Sequence, residues 1–224
     1  MVTMTVLSDA PPVYNPPLDP YVTLHRDADI LVVDKPSGLL SVPGRHPALQ
    51  DSLLTRVQKD FPQAQMVNRL DKDTSGVVLI SLNRKAHAFV AAQFAARTTR
   101  KSYVAEVWGH VADQEGMIDL PLAIDPDRKP RHRVDPDHGK AAQTRWQVIG
   151  HGEKLTRLRL FPLTGRTHQL RVHMKAIGHV ILGDEFYAEG EALSAAARLQ
   201  LHAEELGFRH PDGSDVIYTA PIPF

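Results

Sequence analysis

Apolar positions recur at two periods along this chain, one that suits strands and one that suits helices. Tyr21 to His25 and Ile30 to Asp34 read as two strands joined by the polar turn Arg26-Asp27-Ala28-Asp29. Val77-Val78-Leu79-Ile80 is a continuous apolar run ending at Ser81, the pattern of a buried strand. Ser102 to Trp108 has strand composition. Thr144 to Ile149 and Leu155 to Phe161 form a hairpin pattern, in which Leu158 and Leu160 alternate with Arg157 and Arg159. A short strand is expected over Gly116 to Leu120. Strand-like pieces close the chain at Leu199 to Ala203, Leu206 to Arg209 and Val216 to Ala220.

The helical period appears first in Ser52 to Phe61, where Leu53, Leu54, Val57 and Phe61 share a face and Pro62 follows. Asn83 is a plausible N-cap for a helix to about Arg97, with Ala86, Phe89, Val90 and Phe94 as its buried stripe. A third helix follows Leu163 to His173; Leu170, Met174 and Ile177 give its apolar face and Gly178 its C-terminal cap. A short helix is expected near Ala192 to Ala197. Strands outnumber helices and do not alternate with them regularly. The expected class is therefore α+β with a mixed, mainly antiparallel sheet. Residues 1 to about 20 carry Pro11, Pro12, Pro16, Pro17 and Pro20, which predicts an extended or disordered arm. The remaining residues, 21 to 224, are expected to form one domain.

Composition narrows the function classes. Lys and Arg total 26, as do Asp and Glu, so bulk positive charge cannot hold this chain to a nucleic acid, although a local basic cleft can. Arg128-Lys-Pro-Arg131-His-Arg133 is the most basic window, and Arg100 and Lys101 lie in another. There is no Cys, which excludes disulfides, thiolate nucleophiles and Cys-ligated zinc. His168 and His173 are five apart with no third ligand nearby, so no metal site is expected there. The N-terminus has no signal-like pattern and no apolar run is long enough to span a bilayer; a cytoplasmic chain away from the membrane is expected.

The stretch with most chemistry is Asn68-Arg-Leu-Asp-Lys-Asp-Thr-Ser-Gly76, a polar loop at the entrance of the Val77 strand. Its composition alone describes a turn. Its pattern, Arg69-Leu-Asp71-x-x-Thr74-Ser75-Gly76, resembles the signature loop of the RluA-type pseudouridine synthases. Lys101-x-Tyr103-x-Ala105 resembles that family's second motif, and Gly165-Arg166-Thr167-His168-Gln169-Leu170-Arg171 its third. Asp34-Lys-Pro-Ser-Gly38 resembles a segment shared by several pseudouridine synthase groups. The resemblance runs from about Tyr14 to Phe224. One departure is Asn68, where the family usually has His.

The resemblance implies a bent central sheet crossed by a cleft, with no accessory N-terminal RNA-binding domain. It implies Asp71 as the catalytic carboxylate, Arg171 as its cationic partner and Tyr103 against the target base. Arg69 is associated with the place vacated by a flipped nucleotide. Arg166 contacts RNA backbone, and Thr74 and Lys101 complete the RNA-facing set. Isomerising uridine needs no redox step or phosphoryl transfer, so no cofactor is expected. The short chain looks most like members that act on both 23S rRNA and a tRNA anticodon stem-loop, and a monomer is expected. Read without the resemblance, Tyr103 could be a core residue, Arg171 a surface helical residue, Arg69 a loop ion pair and Arg166 a turn residue. Two rival functions follow: a non-catalytic RNA-binding protein of the same fold, and a hydrolase built on Ser75.

Overall fold

The computed structural model describes residues 13–224; Pro11 and Pro12 lie outside them. Residues 13–20 form no helix or strand, yet they are tied down. The Tyr14 hydroxyl donates to Asp51 O and accepts from Leu40 N, and Arg56 donates to Pro17 O and Asp19 O.

The chain begins with β1 (Val22–Arg26), β2 (Ile30–Lys35) and α1 (Leu53–Val57), continues through β3 (Gln65–Met66) and β4 (Ser75–Ser81), and reaches α2 (Arg84–Ala96) and β5 (Arg100–Trp108). Then come β6 (Glu115–Asp119), β7 (Leu122–Ile124), β8 (His132–Val134), β9 (Gln143–His151) and β10 (Leu155–Pro162). The last elements are α3 (Gln169–Ala176), α4 (Gly190–Ser194), β11 (Leu201–Arg209) and β12 (Asp215–Thr219). The main sheet runs β1-β2-β4-β11-β5-β10-β9-β6, with β12 on β11 and β3 on β4. Its only parallel pair among the described residues is β4 with β11. The fold is α+β with a mixed, mainly antiparallel, open sheet.

The unbroken apolar runs of β2 and β4 have a simple cause, since both faces of that part of the sheet are covered. Leu31, Val33, Val78 and Ile80 pack with Leu53 and Val57 of α1, while Ile30, Val32, Val77 and Leu79 pack with Val90 of α2. Asn83 caps α2 by accepting from Ala86 N. A third cluster joins β5 and β10 to α3 through Ala105, Leu158, Leu160, Leu170 and Met174.

Three expected boundaries shift. The first helix stops at Val57, four residues before Phe61, and the chain goes on in turns while Phe61 still packs on the same cluster. The pieces Leu199 to Ala203 and Leu206 to Arg209 are one strand, β11. A register shift between Ala203 and Glu205 places two carboxylates mid-strand, and this hides its continuity from an apolar pattern. Glu204 is satisfied there by Ser102 and Arg159, and Glu205 pairs with Arg100. The late short helix begins at Gly190 and ends at Ser194, earlier than Ala192 to Ala197.

Gly76 is the tightest point of the seam between β4 and β11. It sits at φ 115°, and a Cβ there would lie 2.2 Å from Ala203 O. Only glycine lets the two backbones approach this closely.

Candidate active site

The loop from Arg69 to Asp73 is held from beneath by the turn that follows β2. Lys35 is fully buried and donates Nζ to Pro36 O, Leu39 O and Lys72 O at 2.7–2.9 Å. Gly38 N also reaches Lys72 O, Ser37 Oγ donates to Asp73 O, and Ser41 Oγ bonds both the N and O of Leu70. Burial lowers the Lys35 pKa to about 7, against the pull of Asp73 and Asp71. The Asp34–Gly38 segment is thus a cradle, as its Pro and Gly residues suggest. Asn68 closes the other side by accepting from Leu79 N at 2.8 Å, a role that needs an acceptor and no titrating ring.

Above this loop lies a cleft of ≈ 650 Å³. The seven residues to which the resemblance gives site roles all border it: Asp71, Tyr103, Arg171, Arg69, Arg166, Thr74 and Lys101. Arg171 Nη1 approaches Asp71 Oδ2 at 3.3 Å. It is 2% exposed, so it is no surface residue. Asp184 fixes it: Arg171 Nε donates to Oδ2 at 2.8 Å and Nη2 to Oδ1 at 2.6 Å. Asp184 is itself fully buried and accepts from Phe186 N and Tyr187 N. The rings of Phe186 and Tyr187 lie 5.0 and 5.2 Å from the guanidinium. Burial works against the Arg171 charge, but its bonds to Asp184 and the charges of Asp184 and Asp71 outweigh it.

Tyr103 comes from β5, and its side chain packs between two core clusters. Burial, with the Asp71 carboxylate nearby, pushes its pKa up, so the phenol keeps its proton. No hydrogen bond to its hydroxyl is made among the described residues. Arg69 is exposed and makes no ion pair among them, so Asp71 pairs with Arg171 and not Arg69. Lys101 has a pKa lowered by burial and by Arg97, which shares the cleft wall. Arg166 donates Nε to Ala141 O at 3.1 Å. Thr74 lines the cleft although it is only 2% exposed, and its N–H donates to Asp71 O at 3.2 Å.

His168 and Asp184 were not singled out as site residues. His168 Nε2 lies 3.8 Å from Asp71 Oδ2. Asp184 follows Arg171 by 13 residues in an ordinary Gly-Asp loop, and no spacing rule joins them. Gln169 is structural: its side chain links Thr164, Arg166 N, Gln143 O and Thr144. His173 is buried against Thr144 and Leu120 O, well apart in role from His168. Among the described residues two donor trios lie close enough to hold a cation, His25–Asp27–His210 and Asp135–Asp137–His138, and neither borders the cleft.

The basic residues divide. Arg100 pairs with Glu205 at 2.8 Å and borders a separate groove against α2, not the cleft that Lys101 borders. Arg133 is shared between Asp125 and Asp135. Arg128 and Lys129 are exposed on the loop joining β7 to β8, whose His132 ring stacks edge-on against His168 at 5.4 Å.

Ser75 does contact a histidine, His202 Nδ1, at 2.9 Å. It is 4% exposed and does not border the cleft, and His202 Nε2 meets Ala220 O instead of a carboxylate. The arrangement lacks both an acid and an opening for substrate, which removes the hydrolase reading.

Residues 29–176 match the family model described as RNA pseudouridylate synthase. The chain belongs to that family. It is 51% identical over 214 residues to the dual-specificity RNA pseudouridine synthase RluA of Salmonella typhi, covering 94% of this chain and 98% of that one. It is 50% identical over 214 residues to the protein of the same name from Escherichia coli strain K12, with the same coverage. Among solved structures it is similar to human RNA Pseudouridylate Synthase Domain Containing 1, with a TM-score of 0.79 and 28% identity over 95% of this chain and 87% of that one. The protein is an isomerase acting on RNA, converting uridine to pseudouridine. None of its helices is long and apolar enough to cross a membrane, among the described residues.

Proposed function

We propose that this chain modifies one uridine in each of two RNAs, a tRNA anticodon stem-loop and a 23S rRNA hairpin, and that Asp71 is the catalytic carboxylate. The chemistry rests on one observation: a carboxylate on a rigidly supported loop faces a guanidinium locked by a second, buried carboxylate. Two RNAs are proposed because relatives about 50% identical over nearly their whole length carry a dual-specificity name.

Asp71 stabilises or captures C1′ of the ribose as the N1–C1′ bond breaks and its electrons leave with the base. The freed base turns within the cleft beside Tyr103 and C5 bonds to C1′, displacing the Asp71 carboxylate if it has bonded there. C5 then gives up its proton to solvent and N1 takes one up, so the product has the formula of the substrate. Arg171 keeps a positive charge beside the Asp71 carboxylate throughout. A base in folded RNA must be extruded to reach this depth. Arg69, exposed beside Asp71, fits the space the nucleotide leaves, while Lys101 and Arg166 meet the backbone.

The test is release of tritium from uridine-C5-tritiated tRNA and 23S rRNA fragments, beside Asp71→Asn. Release from both RNAs, lost in the variant, supports the whole reading. Release from one RNA removes the second substrate. Release by Asp71→Asn at the parent rate removes Asp71 as the catalytic group.

A further inference from the structure

We propose that His168 is a positioning residue for the reaction, fixed by Tyr187 as the tautomer whose Nε2–H points at Asp71. This rests on Asp71 being the catalytic carboxylate.

The tautomer follows from counting protons. His132 N donates to the Tyr187 hydroxyl at 2.8 Å, and that oxygen lies 2.7 Å from His168 Nδ1. A phenol carries one proton. If Nδ1 were the donor, the oxygen would accept two N–H groups and its own proton would find no acceptor among the described residues. With the phenol as donor, the phenol proton, Nδ1 and the His132 N–H all have partners. Nδ1 is then the acceptor, and the ring's single proton sits on Nε2, 3.8 Å from Asp71 Oδ2. Burial pushes the Tyr187 pKa up to about 12 and the His168 pKa down to about 4, so phenol and imidazole are both neutral.

The backbone supports an aiming role. His168 stands at the N-cap of α3 with φ 55°, a left-handed conformation disfavoured for His, and its side chain makes no capping bond. Gln169 stabilises that turn instead, accepting from Arg166 N. The ring is left free to face the cleft.

A neutral donor suits the place. The groups facing His168 are Asp71, Arg171, Asp184, His132 and Tyr187. A second cation beside Arg171 would be repelled, whereas an N–H dipole is not. Both Arg171 Nη1 and His168 Nε2 face the same oxygen, Oδ2. The other oxygen makes no hydrogen bond among the described residues, which leaves it free for substrate. At 3.8 Å the imidazole is not yet bonded; such contacts shorten when substrate fills a site.

Two measurements decide the proposal. Long-range proton–nitrogen NMR of the free protein at pH 7 should show His168 as the Nε2–H form, and Tyr187→Phe should mix the tautomers. Single-turnover rates should then fall about ten-fold in His168→Ala, with the Kd for RNA unchanged, and recover in His168→Gln, whose amide N–H reaches the same region. Both variants share the left-handed backbone, so strain cancels between them. An Nδ1–H or protonated ring, or equal rates in all three proteins, overturns the proposal. So does an equal loss in Ala and Gln, which marks His168 as merely structural. If the unaltered protein turns over neither RNA, the proposed substrates fail, yet the NMR result still decides whether the donor is aimed.

Discussion

Arg171 holds two carboxylates in unequal ways: Asp184 through two bonds of 2.6 and 2.8 Å, Asp71 through one approach of 3.3 Å. The tight pair fixes the guanidinium, and the loose one leaves Asp71 room to move against a substrate. Breaking the tight pair should therefore damage more than stability. Asp184→Ala leaves a buried cation with only its loose approach to Asp71, at a cost of about 3–5 kcal/mol. Asp184→Asn keeps the shape with weaker bonds. It should stay folded in a urea titration while its turnover falls about 100-fold, a loss that Asp71→Asn should exceed. Full turnover in a folded Asp184→Asn protein would show that Arg171 needs no second carboxylate.

Gly76→Ala puts a methyl group against Ala203 O at the β4–β11 seam. Strain of about 2–3 kcal/mol is expected, read as a lower urea midpoint. Gly165→Ala is the control, since nothing lies within 4 Å of a Cβ placed there.

Asn68 serves as an acceptor for Leu79 N. Asn68→Ala leaves that N–H without its partner and should cost about 1–3 kcal/mol. Its maximal turnover should be close to the parent value, because the position supports the loop and carries no proton. A collapse of turnover with stability intact would mean that Asn68 acts on substrate.

Acid should weaken the fold through its buried histidines. Burial lowers the pKa of His168 from 6.5 to about 4, and it lowers those of His173 and His202 as well. Between about pH 6.5 and 4 the unfolded chain binds more protons than the native one at His168, so stability rises with pH across that window. It should be lost as pH falls from 6.5 toward 4 and gain nothing from this residue above. Urea midpoints at steps through the window, with His168→Gln beside the parent, measure the share due to His168; the variant's curve should be the flatter.

Two arginines adjacent to elements of the site should differ in binding. Arg69→Ala should weaken RNA affinity and reduce the salt slope by about one unit. Arg100→Ala should leave both nearly unchanged, because that guanidinium pairs with Glu205 and borders the other groove. Filter binding at several salt concentrations separates them.

The parts of this molecule that a sequence reveals are those with a local cause. The double-sided burial of β2 and β4 appears as unbroken apolar runs, and Asn83 announces α2. Asp71, Tyr103 and Arg171 were found through motif resemblance, and all three border one cleft. Groups joined only by folding stayed hidden. Asp184 lies in a common turn until it meets Arg171, and His168 looks like a helix residue until Tyr187 orients it. β11 was split in two because its bulge puts Glu204 and Glu205 in the middle. The pair β7–β8 lies in a stretch rich in Pro, a residue that argues against strands, so no apolar pattern announces it.

The placement of β11 also sets a timetable. It lies between β4 and β5, which are consecutive main-sheet strands of the chain, so those two do not pair with each other; β4 can pair with β2 as it leaves the ribosome, but its other edge waits for β11. The gap closes only after residue 209 has emerged. Asp71 and Arg171, 100 residues apart, are already synthesised by then, yet the wall that brings them together is not. A nascent chain therefore holds all its reactive groups before it holds a site, and the site can close only after β11 has left the ribosome.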